Sequence, residues 1–377
     1  MRANPVPFLY FFDAGKGLAI GEARNRPGSS SQTGKQTHMK PIALAALLCA
    51  AFAGSAAAQS SVTVYGRINT TVEYQDNGKD DVSSVENNNS RWGLRGKEDL
   101  GGGLDAFFML EQGFRSDDGG GSGGFNREAW AGLHSSQYGQ LKIGRITSAL
   151  YYATLDYIGV FNHDTGTTAE DKFWVLNFTS PNAVEYTSPT FGGFAFALTA
   201  SAGEGNDGVG TNSGVDQSLV YSKTYEGVVT YDVENLHIGA GYSQSRNVAD
   251  DTVVEGFAAA GFYTFGNFGV GLAYQHNDSD LLGKRDSVTA TGMYTLGSGE
   301  FHVALGWADD WDDVKDSAAT SWLLGYNYNL SKRTKVYAFY QAVDNDKNAT
   351  YGQGYSQTAV LPDETWQTVG VGIRHAF

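Results

Sequence analysis

The chain has 377 residues, and its 41 Asp and Glu outnumber 26 Lys and Arg to give a net charge of −15. This acidic balance argues against nucleic acid as a partner, because a phosphate backbone requires a basic surface. The single cysteine, Cys49, excludes a fold held together by disulfides within the chain.

The start of the chain does not resemble part of a folded domain. Residues 1–38 match no targeting pattern, so we interpret them as an upstream extension that is not native mature sequence. Residues 39–58 have the charge, apolar run and small-residue end of a secretory signal peptide, with cleavage expected after Ala58. Removing the six basic and two acidic residues before Gln59 leaves 20 and 39, so the mature chain 59–377 would carry a net charge of −19.

The mature chain contains no apolar run of about 18 residues, which excludes a membrane-spanning helix. Alternating segments of about ten residues recur instead, the length of a membrane-spanning strand. Tight turns are predicted at 100–103, 135–139, 188–193, 233–236, 265–268, 297–300 and 330–333. Longer polar connections are predicted at 75–88, 116–125, 147–172, 204–216, 247–252, 278–285, 310–318 and 344–364.

These seven tight turns alternate with eight longer connections and join sixteen strands. The pattern predicts an all-β fold: a sixteen-stranded antiparallel transmembrane β-barrel with short periplasmic turns and long outer loops. A closed barrel also satisfies every backbone group in lipid. Sixteen strands enclose a space too wide for side chains to fill, so an aqueous channel is expected.

Alternation in the first strand predicts which side of the wall each residue faces. Apolar side chains at every second position are expected to face lipid, and the polar residues between them to face the lumen. The apolar set is Val62, Val64, Ile68 and Val72, and the polar set includes Arg67, Asn69, Thr71 and Glu73. In the fourth segment, Phe108 and Leu110 share one face while Met109 and Glu111 share the other.

Two other classes of protein were weighed. "GGSGG" at 120–124 matches the pattern of a nucleophilic serine elbow at Ser122, which would suit an outer-membrane enzyme. A glycine-rich outer loop explains the same residues without catalysis, and no Ser, His and Asp constellation accompanies them. A soluble carbohydrate-binding sandwich is the other alternative, and it would not float with outer membranes.

No cofactor is expected, and no structural metal site is predicted. The acidic segment 307–316 could attract Ca²⁺ or Mg²⁺, but it lacks the glycine and the ligand spacing of a calcium-binding loop. Its acidic residues are Asp309, Asp310, Asp312 and Asp313. A solvated outer loop is the simpler interpretation.

Several motifs together resemble the general porins of Gram-negative outer membranes, most of all the trimeric porins of β-proteobacteria. They include "SSVTVYGRIN", "SRWGLRGKEDLGGGLDAFFMLEQGF", "REAWAGL", "GQLKIGR", "NAVEYTSPTFGGFAF", "YNLSKRTKVYAFYQ" and the final "GIRHAF". The resemblance implies a homotrimer that lets small hydrophilic solutes and ions diffuse across the outer membrane. It marks Phe377 as the residue that the barrel assembly machinery recognises. Outer-membrane lipid and lipopolysaccharide are also expected partners, the latter through divalent ions held by the acidic segment 307–316.

The resemblance also implies a constriction. The third long loop, 147–172, would fold into the lumen and carry Asp156 and Asp164, with Glu170 and Asp171 near its end. On the opposite wall, the matching motifs place Arg67, Arg91 and Arg127, with Ala129 and Ala131 inward beside Arg127. No arginine precedes "NAVEYTSP", where some porins have another. Ordinary solvated lumen charges are the alternative for each arginine; the constriction predicts a weak preference for anions.

Overall fold

The computed structural model describes residues 61–121, 123–161, 171–203, 223–247, 251–352 and 357–377. The predicted extension 1–38, signal peptide 39–58 and cleavage after Ala58 lie outside the described residues, as does Asp164. Within the described ranges, no helix is long and apolar enough to cross a membrane.

Antiparallel strands make up nearly all of the described structure. Two short helices, α1 (Ala149–Ala153) and α2 (Leu155–Ile158), and a 3₁₀ helix (Asp171–Phe173) lie between the sixth and seventh strands. The strands are β1 (Ser61–Asp76), β2 (Asp81–Asn87), β3 (Arg91–Gly101), β4 (Leu104–Gly113), β5 (Glu128–Ser135), β6 (Gly139–Thr147), β7 (Thr179–Thr187), β8 (Phe194–Ser201), β9 (Lys223–Val233), β10 (Leu236–Arg246), β11 (Val253–Phe265), β12 (Phe268–Ser279), β13 (Gly283–Leu296), β14 (Gly299–Ala308), β15 (Ala319–Asn329), β16 (Thr334–Asn345) and β17 (Thr365–Ala376).

The sheet closes on itself through its first and last strands. One edge of β1 pairs with β17, from Arg67 opposite Ala376 to Asp76 opposite Gln367. The other edge of β1 pairs with β2 along its C-terminal half and with β3 along its N-terminal half. Strands β2 and β3 are therefore two halves of one wall strand, which confirms the predicted closed barrel of sixteen antiparallel strands.

The break between β2 and β3 is stabilised by asparagine side chains. The Nδ2 of Asn69 donates to the Asn88 carbonyl at 3.1 Å, and its backbone N–H donates to Ser90 Oγ at 3.0 Å. Across the closing seam, Tyr337 donates to Asn69 Oδ1 at 2.7 Å. Asn89 has a positive φ of 54°, which asparagine tolerates better than most residues. The wall strand thus bends without leaving its buried polar groups unpaired.

All seven predicted tight turns join strands at the predicted places. The first outer connection, 75–88, differs, because β1 continues to Asp76 and β2 begins at Asp81. The turn between them is organised by Asn77 Oδ1, which accepts from the backbone N–H groups of Lys79 and Asp80. Strand ends that lie above the lipid do not need apolar residues, and so their polar sequence resembled a loop.

The two faces of the wall agree with the predicted alternation. On β1, Ile68 and Val72 are 42% and 56% exposed, whereas Asn69, Thr71 and Glu73 are buried. The last strand repeats the pattern with an exposed apolar set: Val369, Val371 and Ile373. The apolar face is directed to lipid and the polar face to the lumen.

Candidate constriction site

The segment between β6 and β7, residues 148–178, is called here the inner loop, of which 148–161 and 171–178 are described. It contacts the inner face of the barrel wall. Ser148 Oγ donates to Glu226 Oε2 on β9 at 2.6 Å, and the Leu150 N–H donates to Glu226 Oε1 at 3.0 Å. One carboxylate of the wall therefore fixes the N-terminal end of α1.

Two glycines of the inner wall make room for this loop. A Cβ atom at Gly239 on β10 would overlap the carbonyl oxygen of Ala153, at the end of α1. A Cβ atom at Gly325 on β15 would overlap the ring of Phe161, which packs between Tyr337 and other buried side chains. The loop crosses the inner face from β9 to β15 because these positions lack side chains.

His237 on β10 makes a polar contact with the end of α1. Its Nε2 lies 2.9 Å from the Ala153 carbonyl oxygen, and its Nδ1 lies 2.7 Å from Asp232 Oδ1. Tyr157 stacks on the ring at 3.4 Å, and burial, followed by Asp232, raises the pKa of Tyr157 to about 12.

The predicted arginines lie on the other side of the lumen and are adjacent. Arg67 and Arg91 are register partners on β1 and β3. Arg127 Nε donates to Glu111 Oε1 at 2.7 Å, and Arg91 Nε lies 3.6 Å from the same oxygen. Tyr65 donates to the second oxygen of Glu111 at 2.9 Å. A single buried carboxylate thus positions two of the three guanidinium groups.

A fourth arginine was missed by the sequence analysis. Arg145 on β6 donates from Nε to the Asn126 carbonyl at 2.8 Å and from Nη2 to Thr179 Oγ1 at 3.0 Å. An irregularity between Gly144 and Ile146 shifts the register of β6 against β7. Arg145 is the register partner of Ala129 on β5, and its guanidinium reaches the Asn126 carbonyl next to Arg127. It lies in "GQLKIGR" and extends the row of predicted basic residues.

Of the acidic residues predicted to face the arginines from the inner loop, only some lie among the described residues. Asp156 lies in the first turn of α2 and is 9% exposed, while Asp164 and Glu170 lie outside the described residues. The carboxylates next to the arginines belong to the wall, because Glu111 and Glu128 are register partners. The inner loop reaches this pair through Tyr152, whose hydroxyl lies 3.4 Å from Glu128 Oε1.

Burial raises the pKa of Tyr152 well above its usual value, and the negative charges of Glu128 and Asp156 add to that rise. The phenol therefore stays protonated at any physiological pH. It can donate to Glu128 and contributes no negative charge to the lumen.

The predicted orientation of Ala129 and Ala131 is wrong. Glu111 pairs with Glu128 and Met109 with Trp130, so Glu128 and Trp130 point inward and the two alanines face outward. The Trp130 ring packs against Phe107 with a centroid separation of 5.1 Å. Arg127 precedes the first residue of β5, so alternation counted from it does not apply to the strand.

Phe377 extends the pairing of the closing seam by one residue. Its N–H donates to the Gly66 carbonyl at 3.0 Å, and the Gly66 N–H donates to the Phe377 carbonyl at 3.1 Å. Its side chain is 44% exposed. The last residue is thus held by its backbone while much of its ring remains available.

In the part of the chain that the structure describes, no three His, Cys, Asp or Glu side chains are arranged to hold a metal ion. Within the acidic segment, Asp310 Oδ1 accepts from the backbone N–H groups of Ser317 and Ala318 at 2.6 and 2.8 Å. This carboxylate therefore shapes its own outer loop.

Comparison with known proteins adds a family and three close likenesses. The model of the Gram-negative porin family matches residues 43–348. An outer membrane porin protein of Bordetella pertussis is 30% identical, covering 90% of this chain and all of that protein. Outer membrane porin protein 32 of Delftia acidovorans is 34% identical, covering 89% and 99%. The solved anion-selective porin from Comamonas acidovorans has a TM-score of 0.67 and 28% identity, covering 85% of this chain and all of that one.

Proposed function

Because the chain belongs to the Gram-negative porin family, whose members are passive outer-membrane channels and not enzymes, we propose that its four neighbouring arginines form the selective side of the channel constriction. The group comprises Arg67, Arg91, Arg127 and Arg145. The observation that carries the proposal is the convergence of Arg91 and Arg127 on Glu111, across the lumen from the wall that seats the inner loop. Small hydrophilic solutes and ions pass between these two sides.

The constriction favours anions weakly. Four guanidinium groups stand against the carboxylates of Glu111 and Glu128, and guanidinium stays charged at any physiological pH. The acidic outer loops lie farther from the path, and salt screens their charge beyond about 8 to 10 Å. Carboxylates and phosphates of small solutes are therefore attracted at the narrow point. The similarity to an anion-selective porin supports this direction.

Reversal of one charge tests the location of the constriction. Arg91→Glu should move the reversal potential, measured in a salt gradient across a planar bilayer, toward that of cations. Lys79→Glu is the matched control, because the Lys79 side chain is 61% exposed in the first outer turn. If Arg91→Glu shifts the potential no more than the control does, the arginines do not line the constriction.

The remaining assignments concern assembly. The mature chain begins at Gln59 after removal of the signal peptide 39–58, and residues 1–38 form no part of it. Three copies associate through the apolar outer face of the first five wall strands, which gives that exposed face a partner. N-terminal sequencing of protein from outer membranes tests the first point. A monomer in mild detergent, before heating, would contradict the second.

Two membrane partners complete the proposal. The barrel assembly machinery recognises the exposed ring of Phe377, and the acidic outer loops hold divalent ions against lipopolysaccharide phosphates. Crosslinking from position 377 during insertion tests the first contact. Loss of lipopolysaccharide from the purified protein on chelation of divalent ions tests the second.

A further inference from the structure

An apolar groove crosses the outer face of the wall on strands β12 to β16. Its volume is about 760 Å³, and its walls are almost entirely apolar. Two outward positions in it lack a large side chain: Gly292, four positions before the end of β13, and Ala338, four positions after the start of β16. Apart from chain neighbours, a Cβ atom at Gly292 would have only a Val303 methyl carbon within 4 Å among the described residues, at 3.1 Å. These two positions therefore leave the lipid-facing surface open.

A row of aromatic rings borders the groove on the side of the periplasmic turns. The rings belong to successive register partners on β12 to β15: Phe268, Tyr294, Phe301 and Tyr326. Within the row, the centroids of Phe268 and Tyr294 are 4.7 Å apart. Gly292 lies two positions farther from the turn than Tyr294. Because aromatic residues mark the boundary between headgroups and hydrocarbon, the groove opens on the hydrocarbon side of that boundary.

The turn between β15 and β16 carries two exposed basic residues, Lys332 and Arg333. Among the seven tight turns, all of which the structure describes, it is the only one that contains Lys or Arg. Ala338 is five positions after Arg333, which corresponds to about 17 Å along the strand and about 12 Å in depth at a tilt of about 45°. The hydrocarbon of one leaflet is about 15 Å deep. The basic turn and the apolar groove therefore lie at headgroup and acyl-chain depth of the same leaflet.

We propose that the groove and the basic turn together bind one phospholipid molecule of the periplasmic leaflet. An acyl chain lies across Gly292 and Ala338, and the phosphate contacts Lys332 and Arg333 through charge-assisted hydrogen bonds. Lipid tails are as apolar as the wall, so the chain gains little hydrophobic energy on entering the groove. The groove contributes close packing on several sides of the chain, which a smooth wall cannot provide. The site therefore recognises a chain shape together with a phosphate.

Two other occupants fit these observations less well. Lipopolysaccharide lies in the opposite leaflet, whereas the groove and the basic turn are close to the periplasmic turns. A second copy of the chain would contact the first five wall strands, according to the trimer proposed above, and the groove lies outside those strands. Only for this second point does the inference depend on the proposed assembly.

Native mass spectrometry of the purified protein, titrated with dioleoyl phosphatidylglycerol in detergent, tests the groove. Ala338→Leu fills it with an apolar side chain and should weaken binding about fivefold, the effect of losing roughly ten carbon–carbon contacts. Ala240→Leu is the matched control, because Ala240 also faces outward, between exposed Ile238 and Tyr242 on β10. Binding to Ala338→Leu as tight as to the control would overturn the proposal. A changed oligomeric state with unaltered lipid binding would reveal a protein contact and would also overturn it.

The same titration tests the basic turn. Lys332→Gln combined with Arg333→Gln should weaken binding of phosphatidylglycerol about thirtyfold, since each basic residue near an anionic headgroup contributes about fivefold. Dioleoylglycerol, which has the same chains and no phosphate, should bind this variant and the unaltered protein equally. Lys315→Gln combined with Lys347→Gln removes the same charge from exposed outer loops and is the control. A loss no larger than the control's, or an equal loss of dioleoylglycerol binding, would contradict the proposal.

A further measurement needs no substitution. Phosphatidylglycerol with a diazirine near the end of one acyl chain, added at one molecule per subunit, should label peptides of β13 to β16 on irradiation. Predominant labelling of β7 to β11 would show that the lipid binds elsewhere and would overturn the proposal. None of these measurements depends on ion selectivity, so the proposed constriction can fail while the lipid site stands.

Discussion

Replacing Glu111 by glutamine should increase the preference of the channel for anions. The carboxylate lies 2.7 Å from Arg127 Nε and 3.6 Å from Arg91 Nε, so it offsets part of their charge. Glutamine has nearly the same volume and can still accept from Tyr65. The substitution therefore removes a negative charge and leaves the packing of the wall in place.

The size of the effect follows from the distance at which an ion passes. One unit charge about 6 Å away in water contributes roughly 0.7 kcal/mol, and salt reduces this to about 0.5 kcal/mol. Loss of the carboxylate favours an anion and disfavours a cation by this amount, a difference of about 1 kcal/mol. The anion-to-cation permeability ratio should rise about fivefold.

Reversal potentials in a planar bilayer, with a tenfold salt gradient set at low ionic strength, measure this ratio. Glu98→Gln is the control, because Glu98 is exposed near the turn end of β3 and its loss makes the same change in net charge. A shift toward cations, or one no larger than that of Glu98→Gln, would refute the reasoning.

Three further results are expected. Deletion of Phe377 should lower the amount of protein inserted but not the single-channel conductance, since one ring contributes only about 1.5 to 3 kcal/mol of burial; normal insertion would contradict this. Gly239→Ala forces a Cβ atom against the Ala153 carbonyl, which should lower the free energy of unfolding by about 1 to 3 kcal/mol and change the single-channel conductance. Gly261→Ala is the control, because a Cβ atom at Gly261 has ordinary space, and it should leave the conductance unchanged. Partial desolvation and neighbouring carboxylates raise the pKa of Asp346 in the folded outer loop, so the free energy of unfolding should fall as the pH rises and this carboxyl ionises. Asp346→Asn should reduce the fall in melting temperature between pH 3 and pH 7 in thermal unfolding scans. An unchanged dependence of melting temperature on pH would contradict this.

Alternation along the strands was enough to predict the barrel, because lipid on one side and water on the other impose a period of two. The prediction failed where the backbone departs from that period. Arg145 was missed because its position in β6 has the same parity as exposed Ile143, and alternation counted from Arg127 assigned Ala129 to the wrong face. The local sequence indicates which face of the sheet a residue of a regular strand lies on, but the alternation cannot be continued across a bulge or past the end of a strand.

The wall residues that contact the inner loop could not be predicted for a different reason. Ser148 contacts Glu226, which is 78 positions away in the sequence, and no local pattern links them. The positions that admit the loop, such as Gly239 and Gly325, carry no side chain and thus no chemical signal. Glu111 was assigned to the correct face, but its role depends on Arg127 lying beside it.

The closing seam has a consequence for the order in which the molecule can fold. Arg67 and Ala376 are paired although roughly 300 residues separate them in the chain. Bringing such distant segments together carries a loop-closure cost that is repaid only when the ladder forms. Until β17 has been synthesised and delivered, β1 and β16 each present a row of unpaired backbone groups, which lipid does not tolerate. A chain that lacks β17 therefore cannot close the barrel and cannot complete insertion.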